Sequence, residues 1–148
     1  MSNSHHSPIR VKQIDHITLV VKDLEISRQF YCDLLGMEEV ARPAFTFPGK
    51  WLQAGNTFIH LILENDESGE SGVHNPERNN NTRAHHLAFL SENVKEAFDF
   101  LKEQGVPILK IPKDRPDGAL QGFVNDPDGH VVELSEPVKL KGGNTLFQ

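Results

Sequence analysis

Two kinds of hydrophobic periodicity alternate along the chain, and they first meet in the stretch Asp15 to Gly36, DHITLVVKDLEISRQFYCDLLG. Side chains from His16 to Val21 alternate between two sets, as expected for a β-strand with both faces occupied. After a short polar turn, apolar residues recur at helical spacing as far as Leu35, and Gly36 stands where glycine commonly ends a helix. The pattern predicts a strand, a turn and a helix, with a histidine at the start of the strand.

The rest of the first half reads as three further strands. They are predicted at Met37–Phe45, Lys50–Ala54 and Thr57–Leu63, where Pro43 limits the first strand and TFIHLIL is the clearest alternation. A polar stretch of about twenty residues, Glu64–Arg83, follows without an apolar period, so we interpret it as a linker or mobile loop.

The second half repeats this order. A shift of 70 residues places His16 on His86 and Phe30 on Phe100, and Gly36 falls one residue from Gly105. The predicted elements of this half are a strand at Ala84–Leu90, a helix at Val94–Gln104, and strands at Ile108–Ile111, Ala119–Val124 and His130–Ser135. Each half is therefore predicted as a βαβββ module, and the similarity indicates an internal duplication.

The sequence predicts an α+β fold in which two paired βαβββ modules form curved mixed sheets around a central metal cavity. The predicted divisions are an N-terminal tail (1–13), module 1 (14–63), a linker (64–83), module 2 (84–136) and a C-terminal tail (137–148). The two modules together are expected to form one domain.

Four polar side chains occupy repeat-equivalent positions on the first and fourth strands of the modules: His16, His60, His86 and Glu133. By strand parity each lies opposite the aliphatic set expected to face the helices. That set comprises Ile17, Leu19, Leu61, Leu87, Phe89 and Leu134. Three imidazoles and one carboxylate suit Zn, Ni, Co, Fe or Mn better than Ca or Mg. We therefore predict a divalent metal site made of these four residues, and expect His74, His85 and His130 not to be ligands.

Composition and charge argue against several classes of function. A net charge of −6 without a basic block argues against nucleic acid or an anionic membrane as partner. No stretch has the length of an apolar membrane span, and the first residues lack a signal-peptide core. Cys32, the single cysteine, excludes an intrachain disulfide and is expected to pack as a small hydrophobe, so a cytoplasmic location is predicted. His5 and His6 are expected to belong to a disordered terminus.

Three further side chains are candidates for contacting a substrate. Trp51 and Phe58 offer apolar surface, and Arg115 offers a cation for a substrate carboxylate. The alternatives are that Trp51 fills the core or an edge, and that Arg115 is a solvated loop charge.

Four motifs together resemble the vicinal oxygen chelate superfamily, which includes glyoxalase I, extradiol dioxygenases, fosfomycin-resistance enzymes and bleomycin-resistance proteins. They are DHITLVVKDLEISRQFYCDLLGMEEV, FIHLILE, AHHLAFL and FVNDPDGHVVELSE, and they span roughly residues 14 to 136. The resemblance implies paired βαβββ modules enclosing a divalent metal. Its ligand pattern also falls on His16, His60, His86 and Glu133.

The sequence is most similar to small bacterial glyoxalase-like proteins. This implies a lyase or isomerase that acts on a substrate with two neighbouring oxygens, such as the hemithioacetal of a 2-oxoaldehyde and a thiol such as glutathione. Glu133 would be the catalytic carboxylate, because His60 stands where glyoxalase I usually supplies a glutamate. The alternatives are an Fe(II) extradiol-type dioxygenase using His16, His86 and Glu133, a thiol-transferring antibiotic-resistance enzyme, and a metal-free bleomycin-type binding protein.

The resemblance also implies a homodimer. Modules of this superfamily pair within one chain or between swapped chains, and the predicted linker is long enough for both. In the swapped arrangement, one chain would supply His16 and His60, and the other would supply His86 and Glu133.

Overall fold

A computed structural model of the protein describes residues 7–72 and 81–138. The predictions for His5, His6, His74, the rest of the linker to residue 80 and the C-terminal tail from residue 139 lie outside the described residues.

Two similar sets of elements follow each other along the chain. The first comprises β1 (His16–Val21), α1 (Leu24–Arg28) with its π-helical continuation (Gln29–Leu34), β2 (Glu38–Val40), β3 (Gly49–Ala54) and β4 (Thr57–Leu63). The second comprises β5 (Leu87–Leu90), α2 (Val94–Glu103), β6 (Ile108–Asp114), β7 (Leu120–Asn125) and β8 (Val131–Ser135). None of the helices in the described residues is long and apolar enough to cross a bilayer.

Each set forms a four-stranded mixed sheet with the same topology. The strand orders are β1-β4-β3-β2 and β5-β8-β7-β6. The first strand pairs in parallel with the fourth, and the remaining neighbours are antiparallel. The predicted α+β fold of two βαβββ units is therefore confirmed.

Both helices begin and end with the signals present in the sequence. The side chain of Asp23 accepts a hydrogen bond from the backbone of Ile26, and Asn93 caps α2 in the same way. Gly36 and Gly105 follow the two helices with φ of 81° and 78°, a left-handed conformation that glycine adopts without steric cost.

Three predicted strands differ by three residues or more from those observed. The strand predicted at Met37–Phe45 spans only Glu38–Val40, because Pro43 has no N–H for a ladder and its carbonyl accepts a local bond from Phe45. The strand predicted from Ala84 begins at Leu87, so His86 precedes β5. A turn centred on Asn81, which accepts bonds from Arg83 and Ala84, occupies that position. The strand predicted to end at Ile111 continues to Asp114.

The first part of the predicted linker is an ordered turn. The side-chain oxygen of Asn65 accepts bonds from the backbone of Glu67 and Ser68. A carboxylate oxygen of Glu64 accepts a bond from the backbone of Ser71. Residues 65–68 therefore form an Asx turn, and the bond between Glu64 and Ser71 closes the segment around it.

One hydrophobic core joins the two sheets. The six residues predicted to face the helices all belong to it, four buried and two partly buried: Leu19, Leu61, Leu87 and Leu134, with Ile17 and Phe89. Tyr31 of the first helix contacts Phe89 of the second sheet. The helix-side faces of both sheets are thus packed into a shared interior.

Polar contacts from the β7–β8 loop fix the two halves to each other. Tyr31 donates a hydrogen bond of 2.7 Å to a carboxylate oxygen of Asp126. The carboxylate of Asp128 accepts bonds from the backbone of Lys22 and the hydroxyl of Ser27. Because Tyr31, Asp126 and Ser27 are buried, these bonds satisfy groups that water does not reach.

Candidate metal centre

The first candidate pair, His16 and His60, lies on adjacent parallel strands of the first sheet. Their imidazole rings stack, with centroids 3.9 Å apart and planes inclined by 14°. We call these residues the module 1 pair. Trp51 of β3 stacks on the other side of His60, with centroids 4.2 Å apart and planes inclined by 1°. The imidazole of His60 is thus held between two flat neighbours.

His16 has a carboxylate partner that orients its ring. Its Nδ1 lies 2.8 Å from Oδ2 of Asp15, which leaves Nε2 for another partner. Histidine ligands of metals commonly donate their second ring N–H to such a carboxylate, which fixes the ring and raises its basicity.

The pKa of His60 lies below its ordinary value of 6.5. Burial is the main cause, and the charges of His16 and Arg42 lower this pKa further against an opposite contribution from Asp15. His60 is therefore neutral at neutral pH, the form in which imidazole binds a metal.

The second candidate pair consists of His86, which directly precedes β5, and Glu133 on β8. His86 Nε2 is 3.0 Å from Glu133 Oε2, and His86 Nδ1 is 2.9 Å from the carbonyl of Ala84. Glu133 is only 6% exposed, so its charge requires a partner within the protein. We call these residues the module 2 pair. As with His16, the second ring nitrogen of His86 has its own acceptor, which leaves Nε2 for the site.

Arg115 lies behind Glu133 rather than free in a loop. Its guanidinium binds Asp117 at 3.0 and 2.6 Å and donates a bond of 3.2 Å to the hydroxyl of Ser135. One guanidinium nitrogen is 3.9 Å from Glu133 Oε1. The hydrogen bond with Asp117 raises the pKa of Arg115. Arg115, which the sequence suggested as a cation for a substrate carboxylate, thus has three partners within the chain. Its contact with a substrate stays a prediction.

The two pairs do not form one cluster within a chain. Among the described residues, no three of the four predicted ligands have ligand atoms within 4.8 Å of one another. Strand geometry explains this, because successive side chains point to opposite faces. The module 1 pair lies on the face of its sheet opposite the shared core. Glu133, placed between the core residues Val132 and Leu134, likewise lies opposite the core. The four-residue site therefore stays a prediction.

A cavity of about 360 Å³ opens beside the module 1 pair. All its lining residues belong to the first half of the chain: Asp15, His16, Arg42, Phe45, Phe47, Trp51, His60, Leu61 and Ile62. Trp51 thus lines a cavity beside the module 1 pair, and its contact with a substrate stays a prediction. Phe58 is half-buried and is not among the residues that line this cavity. Nothing in the sequence indicated that Arg42, Phe45 and Phe47 belong to a site. Met37–Phe45 was predicted as a strand, and its pattern does not indicate a loop beside His60.

A third group, Asp126, Asp128 and His130, also has ligand atoms within 4.8 Å of one another. Its carboxylates already have protein donors. The two oxygens of Asp126 accept from Tyr31 and from the backbone of Asp128 and His130, and Nδ1 of His130 lies 2.8 Å from Oδ2. Burial alone would lower the pKa of His130, but Asp126 and Asp128 outweigh it, so the pKa is raised. These bonds indicate a structural network that fixes the loop.

The donor set of the two pairs fits a divalent transition ion. Nδ1 of His16 and of His86 each has an oxygen partner outside the candidate site, so Nε2 is the ring nitrogen left for the site; in His86 it lies against the carboxylate of Glu133. Together with His60 and Glu133, these residues offer three imidazoles and one carboxylate, a set typical of zinc and its neighbours.

Comparisons with known proteins agree with this fold. The chain is 25% identical to "Glyoxylase I 4" of Arabidopsis thaliana over 140 residues, which covers 90% of this chain and 76% of the relative. It is 34% identical to "Metallothiol transferase FosB" of Staphylococcus epidermidis over 130 residues, covering 85% and 82%. The crystal structure of a glyoxalase/dioxygenase from Nostoc punctiforme superposes with a TM-score of 0.70 at 26% identity, covering 92% and 98%.

The family profile gives the decisive comparison. Residues 13–134 match the Glyoxalase/Bleomycin resistance protein/Dioxygenase superfamily, a range that includes both sheets almost completely. The chain therefore belongs to this superfamily, the vicinal oxygen chelate group that its sequence resembles.

Proposed function

We propose that the protein is a divalent-metal-dependent lyase or isomerase of the glyoxalase type, whose metal centres are each completed by two chains of a homodimer. The observation that supports this most is the arrangement of the ligands in two pairs. In each pair a histidine has its Nδ1 bound to an oxygen outside the candidate site, and each pair lies opposite the shared core of its own chain. One chain would supply His16 and His60, and its partner would supply the residues equivalent to His86 and Glu133.

The edges of the sheets support this assembly. In each sheet the leading strand, β1 or β5, is an edge strand with one neighbour in the described chain. The segment before β1 also leaves three large apolar side chains, Ile9, Val11 and Ile14, largely exposed. Edge strands and exposed apolar residues in one region are typical of a surface that contacts another chain. A two-fold dimer would place β1 of each chain near β5 of the other and close two equivalent sites.

The chemistry follows from the donor set. A bound divalent ion would polarise two neighbouring oxygens of a substrate and stabilise the negative charge that develops on them. Glu133 would take the proton from the carbon beside the carbonyl and return it to the adjacent carbon, which leaves the net composition of the substrate unchanged. Arg115 would keep this carboxylate in position, since it approaches Oε1 while His86 contacts Oε2. Asp15 would hold the ring of His16.

A second candidate is transfer of a thiol to a small electrophile. It is favoured by the 34% identity to the Staphylococcus epidermidis relative named as a metallothiol transferase. Both reactions use a thiol such as glutathione and a metal that activates substrate oxygens, but only the isomerase needs a proton carrier at Glu133. Because Glu133 would also hold the ion in both reactions, the products distinguish them: the isomerase would form a thioester from methylglyoxal and glutathione, whereas the transferase would form a thioether from the thiol and its electrophile.

The test has two parts. Chelator-treated protein is titrated with Zn²⁺, Ni²⁺, Co²⁺ and Mn²⁺ by calorimetry, and one ion per chain is expected for the unmodified protein. The variants His60→Ala and Glu133→Gln should each lose tight binding, whereas His85→Ala, a control histidine, should retain it. Loaded protein is then assayed for thioester formation from methylglyoxal and glutathione. The absence of stoichiometric binding of every ion would overturn the proposal.

A further inference from the structure

The loop between β2 and β3 borders the same cavity as the module 1 pair. Residues 42–48 of this loop contribute Arg42, Phe45 and Phe47 to the lining of the cavity that also contains His16, His60 and Trp51. We call this segment the Arg42 loop. Its position beside the predicted ligands means that a substrate bound there would contact the loop.

Arg42 is held in one orientation by its own loop. It donates a hydrogen bond of 2.9 Å from Nη2 to the carbonyl of Phe47. Its guanidinium carbon lies 4.8 Å from the ring centre of Phe45 and 4.9 Å from that of Phe47. Gly49 provides the space behind it, since a Cβ at that position would lie 3.0 Å from Nε and from Nη2. A cation fixed on aromatic faces is preorganised for binding, because little conformational freedom remains to be lost.

The charge of Arg42 has no carboxylate partner in the described part of the chain. Arg28 and Arg115, by contrast, each form ion pairs with nearby aspartate or glutamate. Asp15 also lines the cavity, but it contacts Nδ1 of His16. The guanidinium therefore retains N–H donors and a full positive charge for an anion in the cavity.

Apolar surface lies next to this cation. Phe45 and Phe47 stack on each other with centroids 5.3 Å apart, and they remain 46% and 39% exposed. Trp51 lies 6.1 Å from Phe45 and extends the same surface to His60. Exposed aromatic rings around one fixed polar group are typical of a small-molecule site, in which the rings supply affinity and the polar group supplies orientation.

We infer that the Arg42 loop is the specificity element of the site and selects substrates that contain a carboxylate and an aryl or bulky alkyl group. The carboxylate pairs with Arg42, the apolar group lies against Phe45, Phe47 and Trp51, and the neighbouring carbonyl oxygen faces His16 and His60. This inference rests on the proposed function for the role of the carbonyl oxygen. The pairing of the anion with Arg42 does not depend on that function.

The test compares two probes that share a phenyl ring and two adjacent oxygens. Phenylglyoxylate is anionic, and 1-phenylpropane-1,2-dione is its neutral counterpart. Calorimetry on the unmodified protein, with and without Zn²⁺, should show tighter binding of the anion by about tenfold to a hundredfold, the usual range for a hydrogen-bonded charge pair. The variant Arg42→Gln should abolish this preference, Arg42→Lys should retain part of it, and Arg10→Gln, an equal charge change outside the cavity, should leave it unchanged.

Zn²⁺ titration of the same variants separates the two proposals. If the unmodified protein binds no Zn²⁺ while the anion preference persists and depends on Arg42, the metal function fails and the inference holds. If the unmodified protein shows no preference for the anion, or Arg42→Gln retains it, the inference is overturned whatever the metal result. Phe45→Ala should weaken phenylglyoxylate more than pyruvate, and equal weakening of both would also contradict the assigned role of the loop.

Discussion

The indole of Trp51 lies flat on the imidazole of His60, with ring centroids 4.2 Å apart and planes inclined by 1°. Trp51 is the only tryptophan in the chain, so the tryptophan fluorescence of the protein reports on the surroundings of His60. We predict that Zn²⁺ changes the emission of Trp51 in a saturable way, because a ligand bound at His60 alters the group stacked on the indole. His60→Gln should remove the response, and His85→Gln should retain it. An unchanged response in His60→Gln would place the bound ion elsewhere.

Asp15 is predicted to support metal binding through His16. Its carboxylate lies 2.8 Å from Nδ1 of that histidine, a contact that fixes the ring and its tautomer. Asp15→Asn should weaken Zn²⁺ binding by about tenfold to a hundredfold, the usual effect of losing such a partner. Competition with a chromogenic chelator measures this change. An affinity equal to that of the unmodified protein would show that Asp15 does not orient the ligand.

The hydrogen bond between Tyr31 and Asp126 is predicted to stabilise the contact between the two halves. Both groups are buried, and the bond length is 2.7 Å. Tyr31→Phe should lower the free energy of unfolding by about 1–3 kcal/mol, measured by urea denaturation, because a buried carboxylate loses one of its donors. In an Asp126→Asn background the same substitution should cost clearly less. Equal costs in both backgrounds would contradict the assigned bond.

His130 is predicted to give the protein a pH-dependent component of stability. Its pKa in the folded protein is raised above the ordinary value of 6.5, because Asp126 and Asp128 outweigh the opposing effect of burial. The folded state therefore binds more protons than the unfolded state. The stabilisation is fully present below pH 6.5 and is lost as the pH rises through the folded-state pKa.

The measurement is the difference in unfolding free energy between the unmodified protein and His130→Gln at about pH 5.5 and pH 8.5. Other histidines, including His60 with its lowered pKa, are present in both proteins and largely cancel in this difference. The hydroxyl of Tyr31 has a pKa raised well above its ordinary value of 10.0, so it stays protonated throughout. The difference should be larger at the lower pH. A larger difference at the higher pH would contradict the sign of the shift.

Local pattern was sufficient to predict the fold because each element has a strong signal in the sequence. The alternation in TFIHLIL predicts β4 with its observed bounds, and Gly36 and Gly105 follow the two helices. The ends of the strands were less predictable where side-chain hydrogen bonds compete with the backbone hydrogen bonds between strands. Asn81 forms a turn that delays β5 to Leu87, and no hydrophobic period could show this.

The candidate site was predictable in part for a similar reason. Strand parity places His16 beside His60 and His86 beside Glu133, since neighbouring strands bring side chains of one face together. Strand parity does not show which faces of the two sheets pack together. The separation of the four candidate ligands into two pairs therefore becomes visible only once the packing of the core is known. Arg42 was missed because its guanidinium is placed by Phe45, Phe47 and Gly49, contacts that depend on the path of an irregular loop.

The central claim is that two chains complete each metal centre, and mixed dimers of His16→Ala with Glu133→Ala test it most directly. In a heterodimer of these variants, one shared centre contains both substitutions and the other contains neither. The two variants are mixed in equal amounts, refolded together and equilibrated with Zn²⁺ at a free concentration set by a chelator. We predict that the mixture binds about a quarter as much Zn²⁺ as the unmodified dimer. Each variant alone should bind none tightly. If the mixture also binds none although mixed dimers form, the claim that the centre is shared between chains is wrong.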